Sequence, residues 1–265
     1  MKKTAAAALT IALGVALTAG AAEFWEKKKY TEWSEKECHR LLENSPWAQR
    51  QVADSEVSRD PATNVDTPGS EAVRSTGQQT EDRSGALSDL SQQAQRIERG
   101  YTVQIRSAAP LRQAWVRRNQ LNLKYDQMTP EQKQNYDRKT ENYLSAKFPD
   151  TVVIYVEYWS TTDNDRAEMG QYWAKQTTDT LKKSTFLVGT SGLKAPLQQY
   201  VAGQGDTHAF QFVFPRLVDG HPVVGPQDES LRVEFVHPSV HNRGEKPFVV
   251  EFKLKSLELG GQPVY

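Results

Sequence analysis

The chain has one cysteine, Cys38, among its 265 residues. An internal disulfide is therefore excluded, and any folded part must be held by packing. Charge of one sign is missing too, because 33 basic residues face 33 acidic ones. Such a balance gives no global attraction to nucleic acid or to an anionic membrane, so no nucleic-acid partner is expected. Beyond the first 21 residues no run is long and apolar enough to cross a bilayer, so the mature form is expected not to span a membrane. Nucleotide signatures are absent: there is no Walker loop, and Gly203-Gln204-Gly205 does not continue to a third glycine. No cofactor is expected.

The opening stretch has the three parts of an export signal. Lys2 and Lys3 form a charged start, Thr4 to Gly20 is uncharged and Ala-rich, and Ala19-Gly20-Ala21 offers the small residues a signal peptidase reads. Cleavage after Ala21 would place the mature protein in the periplasm or outside the cell. Ala22 stands where a lipid-anchored protein needs cysteine. The mean hydropathy of −0.68 includes this apolar leader, so the remainder is strongly hydrophilic.

Four regions follow from composition: the signal (1–21), an aromatic N-terminal helical segment (22–49), a flexible linker (50–97) and an α+β domain (98–265). The linker rests on the absence of any aromatic residue between Trp47 and Tyr101, and on the Asp, Ser, Thr, Pro and Gln content of Gln51 to Gly85. Such a stretch buries too little apolar surface to offset the entropy of ordering it. A weak helix is expected over Leu87 to Arg99.

In the aromatic segment Ser34 and Glu37 form a capping box, with Trp33 and Cys38 at the hydrophobic-staple positions. Cys38, Leu41 and Leu42 share a helix face, and Ser45-Pro46 stops the helix near Asn44. A helix this short needs its apolar face docked on something. Trp33, Cys38, Leu41, Leu42 and Trp47 are thus the candidate docking residues, in cis as a self-docked segment or in trans against a protein partner.

The last region reads as α+β: antiparallel and β-rich in its C-terminal third, sandwich-like, with two or three helices. Tyr101, Val103 and Ile105 alternate with Thr102, Gln104 and Arg106, the pattern of a half-buried strand. Pro110 opens a helix bearing Leu111, Ala114 and Trp115. Thr129-Pro130-Glu131-Gln132 starts another, expected to reach Lys147 and bury Tyr136, Tyr143 and Leu144. Thr151 to Trp159 suits a central strand, Asp163 to Lys183 a third helix, and Thr185 to Val188 a short strand. From His208 onward three runs alternate about Phe212, Val233 and Val250, with Asp219-Gly220 and Gly260-Gly261 as hairpin dipeptides.

Trp33-Ser34, Leu41-Leu42 and Ser45-Pro46-Trp47 resemble a segment of a family of exported bacterial proteins of unknown function. Phe214-Pro215-Arg216, the closing Phe252-Lys253-Leu254-Lys255, the glycine turn and Tyr265 are similar to it as well. The resemblance implies no activity; it implies that the two ends of the mature chain belong to one design.

The chemistry-bearing residues favour bland readings. His237 and His241 have helical zinc spacing, but Pro238 intervenes and no glutamate completes H-E-x-x-H, so no metal is expected. Ser191-Gly192-Leu193-Lys194 matches S-x-x-K without its companion motifs. Asp163-Asn164-Asp165 reads as acidic residues at a helix start. Cys38 reads as a small apolar residue, with a reactive thiol as the alternative. Glu157 is an exposed strand-end carboxylate unless burial raises its pKa. No catalytic residue emerges. The expected function is an exported, non-catalytic binding or assembly protein of the cell envelope. A carrier or chaperone-like domain holding an apolar ligand against its sheet comes second. A secreted hydrolase, needing a cleft that gathers Glu157, a histidine and Ser191, comes third.

Overall fold

The computed structural model describes residues 23–58, 95–205 and 207–265. The signal with its cleavage point, most of the expected linker and the start of the Leu87 helix lie outside them. A short helix α1 (Phe24–Lys27) and a 3-10 turn lead into α2 (Glu35–Glu43). Its capping box forms as the sequence predicts: Glu37 N–H donates to Ser34 Oγ at 3.3 Å, and Ser34 N–H to Glu37 Oε2 at 2.8 Å.

The chain then enters a sheet directly. β1 (Asn44–Ser45) turns back on β2 (Ala48–Ser58), which pairs with β3 (Gln95–Ile105). A linker from 50 to 97 is therefore corrected at both ends, since 50–58 and 95–97 are strand. The Leu87–Arg99 helix is corrected too, because 95–99 belong to β3 and Ile97 is buried. Composition misled because β2 satisfies itself through its ladder and polar side chains. Gln49 Nε2, for example, donates to the Glu251 carbonyl at 2.5 Å.

β4 (Thr151–Ser160) is central, as expected, in a six-stranded antiparallel sheet of order β1-β2-β3-β4-β8-β7, with β7 spanning Gln199–Val201 and β8 Ala209–Pro215. A second antiparallel sheet has the order β12-β11-β5-β6, from Glu245–Lys253, Ser230–Pro238, Phe186–Gly189 and Lys194–Pro196. The sheets pack face to face through rings: Tyr101 meets Phe235 at 5.3 Å, and Phe212 meets Phe235 at 5.5 Å. The architecture is α+β with a sandwich-like, β-rich C-terminal part. Two small hairpins complete it, β9 (Leu217–Val218) with β10 (His221–Pro222) and β13 (Glu258–Leu259) with β14 (Gln262–Pro263). Asp219-Gly220 and Gly260-Gly261 turn them, all four with positive φ.

Helices α3 (Ala109–Asn122) and α4 (Pro130–Ser145) carry their prolines in the first turn. Contrary to expectation α4 buries no residue fully, because it is an outer layer: Tyr136 bonds the Val116 carbonyl and Tyr143 meets Trp115 edge-on. The long helix over 163–183 is corrected to α5 (Asp163–Ala174) and α6 (Thr178–Leu181), because Thr177 caps a new helix start. The polar side of β3 is not wet either. Gln104 donates to the Leu42 carbonyl at 2.8 Å, while Arg106 bonds Gln104 and Tyr143 and stacks on Tyr155. At the other end of the chain Trp47 Nε1 donates to the Val264 carbonyl at 2.7 Å, which ties the N-terminal segment to the C-terminal one.

Candidate functional site in the cleft beside α5

The five residues expected to dock all lie inside the chain's own core. Trp33, Cys38, Leu41, Leu42 and Trp47 are at most 2 % exposed, in one cluster with Val103, Leu111, Ala114 and Phe252. Arg117 on α3 fixes the arrangement by donating to the Trp33 carbonyl at 3.0 Å. The dock is in cis, and the apolar face is not free for a partner. Burial pushes the Cys38 thiol up to about 11, so it is a neutral packing group.

The histidines and acids divide differently from the sequence pattern. Thr162 caps α5, which puts Asp165 in its first turn beside Arg99 of β3. The guanidinium grips both carboxylate oxygens, at 2.8 and 2.6 Å, and also meets the carbonyls of Pro238 and Ser239 and the Glu168 carboxylate. Ligand atoms of Asp165, Glu168 and His241 fall within 4.8 Å of one another. A metal there would have to displace a buried guanidinium, so the group reads as a structural ion pair. Sequence reasoning missed it because Arg99 and Asp165 are 66 residues apart. His237 is not part of that group. Its Nδ1 faces the Pro238 carbonyl at 2.9 Å, its Nε2 has no partner among the described residues, and its ring packs on Tyr101 and Phe248.

The hydrolase constellation is not gathered in any described cleft. Ser191 N–H donates to Asp228 Oδ1 at 2.5 Å, and Gly225 N–H to Asp228 Oδ2 at 2.6 Å. Burial works against that carboxylate, yet hydrogen bonds from the Gly225 and Ser191 backbone, the Ser191 hydroxyl and the Thr190 backbone together hold the carboxyl below its ordinary range. Lys194 pairs with Glu234, so S-x-x-K has no internal contact to build on. Glu157 is exposed on β4, between Thr102 and Ala209.

A cleft of about 530 Å³ does open between α5 and the connection from β7 to β8, a volume within the usual range for small-ligand sites. One wall is the small-residue face of α5: Ala167, Gly170 and Ala174, at i, i+3 and i+7. The opposite wall is the 202–205 turn. It runs close to β8 because Gly203 has no Cβ; one would stand 2.1 Å from the Ala209 carbonyl oxygen. At the base lie Trp173 and Tyr200, their rings almost wholly buried in the core. Trp173 stacks on Phe210 at 4.0 Å, and Tyr200 donates to the Trp173 carbonyl at 2.7 Å. Tyr158 is 7 % exposed, burial raises its pKa, and its hydroxyl has no hydrogen-bond partner among the described residues. That hydroxyl lies against Gly170, where an added Cβ would stand 3.0 Å away. His208 and Arg166 sit at the rim, the imidazole 5.5 Å from the Tyr158 ring. The one signal in the sequence was the spacing of Ala167, Gly170 and Ala174 along one side of α5.

No family model matches the chain, no curated protein matches it in sequence, and no solved structure matches its fold.

Proposed function

We propose that this is an exported, non-catalytic binding protein that holds a small ligand in the cleft between α5 and the β7–β8 connection. One observation carries the reading: the Tyr158 side chain lines that cleft, and its hydroxyl has no hydrogen-bond partner among the described residues and is free to bond a ligand. Binding rather than catalysis is supported by the lining itself. Thr207 spends its hydroxyl on the Gln204 carbonyl and not on His208, so no nucleophile is paired with a base there. The assembly reading loses its main argument, because the aromatic N-terminal face is already covered. Export rests on the leader sequence; among the described residues no helix is long and apolar enough to cross a membrane.

Ligand-observed NMR with a fragment mixture, run on wild type and on Ala167→Phe, tests the site. Ala167 is an exposed wall residue, so phenylalanine there should plug the cleft without entering the core. Fragments that bind wild type and lose binding in the variant are expected; identical binding to both would remove the cleft from the argument.

A further inference from the structure

A pocket of about 230 Å³ lies at the end of the sandwich where β4 begins and β8 ends. We infer that it is a second binding site, independent of the cleft beside α5, for a benzene-sized, neutral apolar molecule. Its floor joins the two sheets: Val152 of β4, Leu187 of β5 and Val223 are at most 2 % exposed and close the space from the core. The contact surface comes from the rim. Leu217 of β9 is 57 % exposed, Pro149 and Pro222 are exposed, and Val224 is half-buried. All nine lining residues belong to described segments, and none of them lines the cleft beside α5.

Size and lining together select the ligand. The volume exceeds the roughly 150 Å³ of an apolar cavity that admits benzene, and falls short of the roughly 300 Å³ at which drug-sized sites begin. The lining offers little to a charge. Two rim residues are prolines, which have no backbone N–H. The Arg216 N–H is spent on the Asp150 carbonyl and the Val223 N–H on the Arg216 carbonyl, both at 2.9 Å. Arg216 is the one permanently charged lining side chain, and it is already engaged. Its Nε donates to the Phe148 carbonyl at 2.8 Å, it also meets the Tyr265 carbonyl, and it lies 5.3 Å from the centre of the Tyr265 ring. A ligand carboxylate would have to compete with those contacts, whereas a neutral ring leaves them intact. Seated here it covers Leu217 and takes apolar surface out of water on both sides.

The test is methyl-detected NMR on the full mature chain, titrated with toluene and with benzoate. Toluene should give saturable shifts centred on the methyls of Leu187, Leu217, Val223 and Val224. Benzoate should bind about tenfold more weakly or worse, because its carboxylate loses water without gaining a free partner. Val224→Phe should fill the pocket and abolish the toluene shifts. Leu217→Ser should weaken toluene several-fold at an unchanged unfolding midpoint, since Leu217 is mostly exposed; it decides the matter should Val224→Phe fail to fold. Ala167→Phe, in the other cleft, should leave toluene binding as it is, so that the two sites stand or fall separately. No saturable toluene shifts at these methyls, or toluene affinity unchanged by Leu217→Ser, would overturn the site. Loss of toluene binding in Ala167→Phe would place the probe beside α5 and overturn it as well. Benzoate binding as tightly as toluene would overturn the neutral assignment.

Discussion

Arg99 and Asp165 form a bidentate ion pair from which water is excluded, their side chains 0 % and 2 % exposed. The pair joins β3 to α5, and through the Pro238 and Ser239 carbonyls it joins both to the end of β11. Ser160 adds a third bond to the same carboxylate at 2.8 Å. Removing one partner strands the other charge in the interior. Arg99→Met should therefore cost about 3–5 kcal/mol in urea unfolding, whereas Arg99→Met with Asp165→Leu should recover most of that loss. A single variant within about 1 kcal/mol of wild type, the range of an exposed pair, would contradict the buried geometry.

His237 makes the fold sensitive to acid. Burial lowers its pKa from the usual 6.5, outweighing the Pro238 carbonyl and Asp54, while Arg99 and Lys246 push in the same direction as burial. A histidine kept neutral in the fold but free to protonate when unfolded contributes nothing adverse above about pH 6.5. As pH falls below that, the unfolded chain takes up the proton first and stability drops; the loss levels off once the folded pKa is passed. His237→Phe should flatten the stability profile between about pH 6.5 and pH 5. A wild-type profile already flat across that window would show that the ring is not held neutral.

What the sequence disclosed and what it hid divide along one physical line. Local signals were legible: the capping boxes at Ser34 and Thr129, the proline starts of α3 and α4, and the Asp219-Gly220 and Gly260-Gly261 turns all formed. Polar strands were not, because β2 and the outward side of β3 are ordered by hydrogen bonds that join residues far apart in the chain. Gln104 is buried because Leu42, 62 residues earlier, offers its carbonyl. The cleft was hidden for the same reason, since Tyr158, Gly170 and Gly203 come from three separate elements.

The N-terminal helix is structural, not a detachable latch. Leu42 is 1 % exposed and α2 leans on α3. Leu42→Ala should therefore cost about 2–5 kcal/mol of global stability, the range for truncating a buried leucine. Chemical unfolding should show one cooperative transition at a lower midpoint. A variant that kept wild-type stability while its first residues became protease-sensitive would restore the tethered-segment picture.

Cys38 reports on the same element without perturbing it. The thiolate is the reacting form, and with the thiol pushed up to about 11 the closed structure at pH 8 holds only about one thiolate per thousand molecules. The sulfur is also 0 % exposed, so a disulfide reagent reaches it only when α2 lifts from α3. Native protein should then react slowly, and unfolded protein at once. The pH dependence identifies the route. Labelling through opening follows an ordinary thiol near 8.5, whereas direct attack in the closed state follows the raised value. Leu42→Ala lowers the cost of opening and should accelerate native labelling about as much as it destabilises the fold. Rapid stoichiometric labelling of the native wild type at pH 7.5 would mean that the thiol is accessible, and the packing of Trp33, Cys38 and Leu42 described above could not be right.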